Sequence, residues 1–247
     1  MVRFFKVVQR DTLNLFVNPA WILLGFLFPL LLIAILGGVT TGFYSSSFTS
    51  FDYYGIGVLV YSTMNSATYA ANSFLEEKIK TANLRIIYAP LNHLALPLAK
   101  IIATFIFTSV LYSLAGLLSV LIFKVNFGGG KLLFIWGLFL ALNFLFSCLG
   151  VLACCIFKSE GVANQIISLV VSLFALFAGC FFPVASLGST FTRLSEVSPI
   201  SQFMRQLFMI IYDQNVAGFW LTLGIIAVLS LVSLSLTYKI YKQEAFL

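Results

Sequence analysis

Residues 21–36 read WILLGFLFPLLLIAIL and contain no charged side chain. Five further apolar stretches follow, and each of the six is long enough to cross a bilayer. A helix needs about 20 apolar residues to span a hydrocarbon core of roughly 30 Å. The runs are continuous and lack the alternation of a barrel strand, which predicts helices. The predicted spans lie at about residues 20–38, 54–74, 98–123, 132–157, 162–182 and 217–238.

The composition agrees with a membrane protein along the whole chain. Hydrophobic residues make up 61% of it and charged residues 9%, against about 25% charged residues in a soluble domain. No segment between the spans is long enough for a separate folded domain, so residues 1–247 are predicted to form a single transmembrane domain. We expect an all-α polytopic fold with six transmembrane helices. It would also have an N-terminal amphipathic interfacial helix at 1–18, and re-entrant or interfacial helices at 183–215, between spans five and six.

The distribution of basic residues predicts the orientation. If the N-terminus is cytoplasmic, ten of the 14 Lys and Arg residues fall on the cytoplasmic side. This bias follows the positive-inside rule and predicts a multi-pass protein of the cell membrane with both termini in the cytoplasm. The net charge of +6 is therefore attributed to topology, and no nucleic-acid partner is predicted.

The N-terminal segment and the cysteines have structural interpretations. Arg3, Lys6, Arg10 and Asn14 form one polar stripe of a helix before the first span, which is typical of a helix lying in the membrane interface. Asn18 and Pro19 predict that this helix stops and a new one starts. All four cysteines fall within predicted spans, so we expect small packing residues and no disulfide framework.

Two predicted spans carry stripes of polar residues at helical spacing. Such stripes either line a polar pathway or act as hydrogen-bonding contacts between helices, and the residue types allow both interpretations. An isolated Asn143 is explained by helix contacts alone. Charged residues are absent from the middle of every predicted span, which disfavours an ion-coupled carrier. The stripes consist of Ser62, Asn65, Ser66, Tyr69, Asn72 and Ser73 in span two, and of Gly161, Asn164, Gln165, Ser168 and Ser172 in span five.

Enzyme motifs fail for chemical reasons. His93 is the sole histidine, so a two-histidine metal site of the H-E-x-x-H type is excluded. Glu76 and Glu77 resemble the glutamate pair of prenyl-protein-processing proteases, but Thr81 stands where these enzymes need an arginine. The chain has no phosphate-binding G-x-x-x-x-G-K-[ST] loop and therefore cannot hydrolyse ATP itself. We predict no metal and no cofactor bound by this chain.

The order of these parts resembles the type-2 ATP-binding-cassette (ABC) permeases, the membrane subunits of many bacterial exporters. Two segments carry the resemblance. The first is FLEEKIKTANLRIIYAPLNHLALPLAK (Phe74–Lys100), which is similar to the family's cytoplasmic coupling loop. The second is GCFFPVASLGSTFTRLSEVSPISQFMRQL (Gly179–Leu207), which looks like the family's motif after the fifth span.

The resemblance implies partners and roles. Two permease chains, identical or homologous, would pair around a central pathway, above two cytoplasmic ATPase subunits that bind ATP and Mg²⁺. The cytoplasmic loop at 75–97 would dock on the ATPase and transmit its closure to the spans. The coupling residues would be Glu76, Glu77, Lys78, Arg85 and Pro90, the outer motif Gly179, Phe182, Pro183, Pro199 and Arg205, and the pathway residues Ser62, Asn65, Tyr69, Asn72, Asn164, Gln165, Ser168 and Ser172.

Two other classes of function remain open at this point. An ATPase-independent channel or secondary carrier has the same hydropathy, and it would transport without a nucleotide-binding partner. A membrane-embedded enzyme is disfavoured by the single histidine and by the uncharged middle of the spans. The sequence does not specify the cargo, and export as the direction is implied by the resemblance alone.

Overall fold

The computed structural model describes residues 2–44, 48–75, 94–184 and 188–241, and every regular element in these ranges is a helix. A π-helical turn, Leu23–Leu27, interrupts the second helix, and a short 3₁₀ turn, Gly129–Lys131, precedes the sixth. The helices are α1 Val2–Val17, α2 Pro19–Val39, α3 Ser50–Met64, α4 Ser66–Leu75, α5 Ala95–Phe123, α6 Leu132–Phe157, α7 Glu160–Ala178, α8 Ser189–Val197, α9 Pro199–Ile211 and α10 Phe219–Ile240.

Within the described ranges, five helices are long and apolar enough to cross a membrane, namely α2, α5, α6, α7 and α10. They correspond to five of the six predicted spans, with ends that differ by a few residues. The predicted second span is not one continuous helix, because it is divided at Asn65 into α3 and α4. The all-helical membrane fold is therefore confirmed at the level of several candidate spans.

The division at Asn65 has a local cause. Ser62 and Thr63 donate their hydroxyls to the carbonyls four residues earlier, at 2.8 and 2.7 Å. The side-chain amide of Asn65 does the same at 2.9 Å. Side chains that bond back to helix carbonyls in this way compete with backbone amides and bend helices. Three of them within four residues account for the interruption.

The break between α1 and α2 follows the predicted mechanism. The side-chain oxygen of Asn18 accepts a hydrogen bond from the amide of Ala20 at 3.1 Å, and Pro19 occupies the first turn of α2. These residues cap the new helix, as their types predict. Helix α1 then packs along the beginning of α5, where Val8 is buried with Ala99 and Ala103.

Helix α6 forms the centre of the bundle. Buried residues make up 61% of its most apolar window, against 22–33% for the other four candidate spans. It packs against α4, α5, α7 and α10. Gly150 permits the approach of α4, because a Cβ at this position would overlap the backbone carbonyl of Ala67. The four cysteines are buried and free, as expected of packing residues.

The region between α7 and α10 contains two short helices, α8 and α9. With 9 and 13 residues they are too short to cross a bilayer. The first break comes at Gly179, a left-handed residue with φ of 70° that ends α7, slightly before the predicted break near Pro183. The second comes at Pro199, as predicted, where α9 begins. A re-entrant or interfacial position of these helices stays a prediction.

Candidate functional site

The polar stripe of α3 and α4 lies largely inside the chain. Ser62, Ser66, Tyr69 and Asn72 are all buried. The Ser66 hydroxyl donates to the backbone carbonyl of Asn143 in α6 at 3.2 Å. Tyr69 packs its ring edge-on against aromatic rings of α2 and α5. Most of this stripe therefore satisfies its polar groups through helix contacts.

The polar residues of α7 are divided between two environments. Asn164 donates to the side-chain oxygen of Asn72 at 2.8 Å and so joins the two predicted stripes. Gln165, Ser168 and Ser172 instead lie on the exposed surface of the chain, and we call them the polar face of α7. At 3.6 residues per turn they fall within about 60° around the helix, and the buried side of α7 is centred roughly 110° away. This chain alone does not cover the polar face.

Helices α3, α4 and α7 run antiparallel and in contact. The Asn72–Asn164 bond marks one end of the contact, and Gly57, which lies against the backbone of Cys180, marks the other. Since each helix rises at the same rate, Asn65 lies at about the level of the polar face. Asn65 is only half-buried. The least buried side of α3 and α4 therefore adjoins the polar face of α7.

Two polar atoms near this junction lack partners among the described residues. They are Thr68 Oγ1 and Asn164 Oδ1, both inaccessible to solvent in this chain. Buried polar atoms normally have a hydrogen-bond partner, so each such exception needs an explanation. Thr68 was not among the predicted site residues, although it lies one turn before Asn72 on the same helix face.

The residues of the predicted outer motif lie at helix boundaries. The carbonyl of Gly179 accepts a hydrogen bond from the hydroxyl of Tyr53 in α3, which ties the end of α7 to the start of the α3–α4 pair. Phe182 and Pro183 are exposed in the segment that follows, and Pro199 and Arg205 are exposed on α9. The motif therefore specifies how α7 ends and how α9 begins.

Asp52 connects the helix ends on the same side of the bundle. Its carboxylate accepts the backbone amide and hydroxyl of Thr49 at 3.0 and 2.7 Å, forming a capping box at the start of α3. Its other oxygen accepts the backbone amide of Asn126, in the turn between α5 and α6, at 2.7 Å. Burial raises the pKa of the nearby Tyr212 hydroxyl, and the Asp52 carboxylate raises it further, so Tyr212 stays neutral.

The predicted coupling residues Glu76, Glu77, Lys78, Arg85 and Pro90 lie outside the described residues. The helices on either side of them are described. Helix α4 ends at Leu75, one turn after the Asn72 contact with α7, and α5 begins at Ala95. A force on the connection between these ends would therefore act directly on α4 and α5.

Sequence reasoning missed an ion pair at the start of α5. The ammonium of Lys100 lies 3.0 Å from a carboxylate oxygen of Asp11 in α1, and both side chains are almost fully buried. A signal for this pair exists in the sequence. Asp11 lies in line with Phe4, Val8 and Leu15, on the apolar side of α1, where an acidic residue requires a partner.

These observations define a multi-pass membrane protein, built from apolar helices, with polar side chains gathered where α4 meets α7. The chain belongs to the ABC-2 family of transporters, because the model described as "ABC-2 family transporter protein" matches residues 39–239. A comparison with curated proteins finds no match. Family membership makes the chain a permease subunit of an ABC transporter, the transmembrane component that lacks the ATPase site. It also implies ATPase partners and usually a pair of permeases.

Proposed function

We propose that the chain is one of two permease subunits of an ATP-driven exporter, and that the cargo pathway follows the polar face of α7. The observation that carries this proposal is the exposure of Gln165, Ser168 and Ser172 on a helix apolar enough to span a membrane. Polar side chains within a span rarely face lipid. A second permease that covers this face would convert it into the wall of a pathway between the two chains.

The proposed topology has six crossings and cytoplasmic termini. Helices α3 and α4 together run from Ser50 to Leu75, which at 1.5 Å per residue is roughly 38 Å and long enough to cross the bilayer. We count this pair as the sixth crossing, interrupted at Asn65. The sixth crossing makes the number of spans even, as the distribution of basic residues requires.

Coupling to ATP would proceed through the connection at 75–97. In this proposal Glu76, Glu77, Lys78, Arg85 and Pro90 contact one of two cytoplasmic ATPase subunits, which hold ATP and Mg²⁺. Closure of the ATPase pair would move α4, and the Asn72–Asn164 bond would pass the movement to α7. Each ATPase state must favour a different arrangement of these helices for transport to be driven.

The composition of the assembled complex tests the proposal most directly. A tagged chain purified from its native membrane should retain a cytoplasmic ATPase and a second permease, identical or homologous. Recovery of the chain alone, in detergents that preserve such complexes, would favour the ATPase-independent channel or carrier instead.

Water should reach the polar face of α7 in the assembled transporter. In Ser168→Cys, a charged, membrane-impermeant maleimide should label the new thiol at least roughly tenfold faster than in Leu169→Cys, because thiolates form in water and not in lipid. Leu169 is the matched control, since it is the next residue on α7 and is 62% exposed on the apolar surface. The four native cysteines are buried and give a low background. Equally slow labelling of both variants would contradict a pathway at this face.

Charge reversal at the predicted coupling loop should uncouple the ATPase. In Glu76→Lys/Glu77→Lys we expect the stimulation of ATP hydrolysis by the permease to fall at least about fivefold, the lower end for coupling between sites. Glu196→Lys is the matched control, because Glu196 is an exposed carboxylate on α8, far along the chain from this loop. ATP hydrolysis by the reconstituted complex is the measurement. Unchanged stimulation in the double variant would exclude these glutamates as coupling residues.

A further inference from the structure

A groove lies between α5 and α6 on a part of the surface that α7 does not line. Its volume is about 490 Å³, and α3, α5 and α6 form its walls. This volume falls within the range of small-molecule sites. Along α5 the groove extends from Ser109 to Val120, a distance of roughly 16 Å at 1.5 Å per residue. That is about half of a 30 Å hydrocarbon core, or the depth of one leaflet.

The walls of this α5–α6 groove suit an apolar chain. The rim carries Leu117 and Leu133, which are 55% and 77% exposed. Polar side chains in the lining already form hydrogen bonds: the indole of Trp136 donates to Ser113 at 2.9 Å, and the amide of Asn143 donates to Ser109 at 2.9 Å. These bonds reduce the demand of the groove for a polar occupant.

Two lysines stand at one end of the groove. Val120 and Leu132 line this end, and the turn that joins their helices begins at Lys124 and ends at Lys131. Neither ammonium forms an ion pair with any described residue. The carboxylate of Asp52, which contacts the same turn, is already occupied by two backbone amides and a hydroxyl.

We propose that the α5–α6 groove holds an acyl chain of one anionic phospholipid, with its phosphate at Lys124 and Lys131. An acyl chain gains no hydrophobic free energy by moving from the bilayer into a protein groove, since both surroundings are apolar. The headgroup must therefore supply the preference for the site, and two unpaired ammonium groups beside the groove attract an anionic one. This lipid is a resident component, distinct from cargo at the polar face of α7, and the inference does not depend on the direction of transport.

The lysines are tested by lipid selectivity. The full-length chain, with whatever partners it retains, is equilibrated in an equimolar mixture of phosphatidylglycerol and phosphatidylcholine, and its retained lipids are counted by native mass spectrometry. Phosphatidylglycerol should be enriched about fivefold, the effect expected of one or more lysines near an anionic surface. In Lys124→Gln/Lys131→Gln the enrichment should disappear. Lys158→Gln, an exposed lysine in the same left-handed conformation at the end of α6, should keep it.

A groove-filling variant tests the acyl chain independently. Gly116 lines the groove, and a Cβ there would make only an ordinary contact, 3.7 Å from Leu59. Gly116→Leu should therefore fold and lose the retained lipid, whereas Gly224→Leu, at a glycine of α10 with open space around it, should keep it. Enrichment that survives loss of both lysines would overturn the proposal, as would full retention of the lipid in a folded Gly116→Leu variant. The lysine variant alone decides if Gly116→Leu fails to fold.

Discussion

Replacing Lys100 with methionine should destabilise the protein by about 3–5 kcal/mol, because it leaves Asp11 as a buried carboxylate without its cation. The two side chains are only 2% and 8% exposed, and their charged atoms lie 3.0 Å apart. The second carboxylate oxygen of Asp11 has no hydrogen-bond partner among the described residues. Little is therefore available to compensate the carboxylate once the ammonium is removed.

A double-mutant cycle separates the pair from its parts. Asp11→Asn/Lys100→Met removes both charges, so it should be more stable than Lys100→Met alone. The measurement is the free energy of unfolding of the four proteins in a denaturing detergent titration. Lys158→Met is the control for loss of an exposed lysine and should change stability little. Strictly additive losses in the cycle would mean that the contact between α1 and α5 does not depend on this ion pair.

A methyl group added at Gly150 should separate the two most closely packed helices of the bundle. In Gly150→Ala the new Cβ would overlap the backbone carbonyl of Ala67 in α4, and neither backbone can move without shifting its helix. Small residues permit this kind of close approach between membrane helices, and overpacking of this kind costs about 1–3 kcal/mol. Because α4 also carries Asn72 and ends at the predicted coupling loop, we expect transport-coupled ATP hydrolysis to fall as well.

The control for this substitution is Gly224→Ala in α10, where a Cβ meets nothing within 4 Å. The same change at that position should leave stability unchanged or raise it slightly, since alanine favours helices over glycine. Denaturing detergent titration again gives the free energies, and ATP hydrolysis by the assembled complex gives the coupling. A Gly150→Ala protein as stable as Gly224→Ala would show that α4 and α6 can move apart without cost.

The two polar stripes illustrate how much of the candidate site the sequence predicts. Spacing alone placed polar side chains along spans two and five, and the Asn72–Asn164 bond confirms that the stripes meet. Spacing did not reveal that Ser62 and Ser66 are buried while Ser168 and Ser172 are exposed. Periodicity defines the face of a helix, and the neighbouring helices decide whether that face is covered. Whether the exposed residues line a pathway stays a prediction.

The sequence by itself determined the helical membrane fold, five of its spans and most of its helix ends. These follow from local physics: a long apolar run must form its own backbone hydrogen bonds in lipid, and residues such as Asn18 and Pro199 start helices through their own side chains. The tertiary structure alone decided which polar groups found partners. Asp11 and Lys100 are far apart in sequence, and the α5–α6 groove exists only because those helices lie side by side. Long-range packing fixed these contacts, and residue order contains no periodic signal for them.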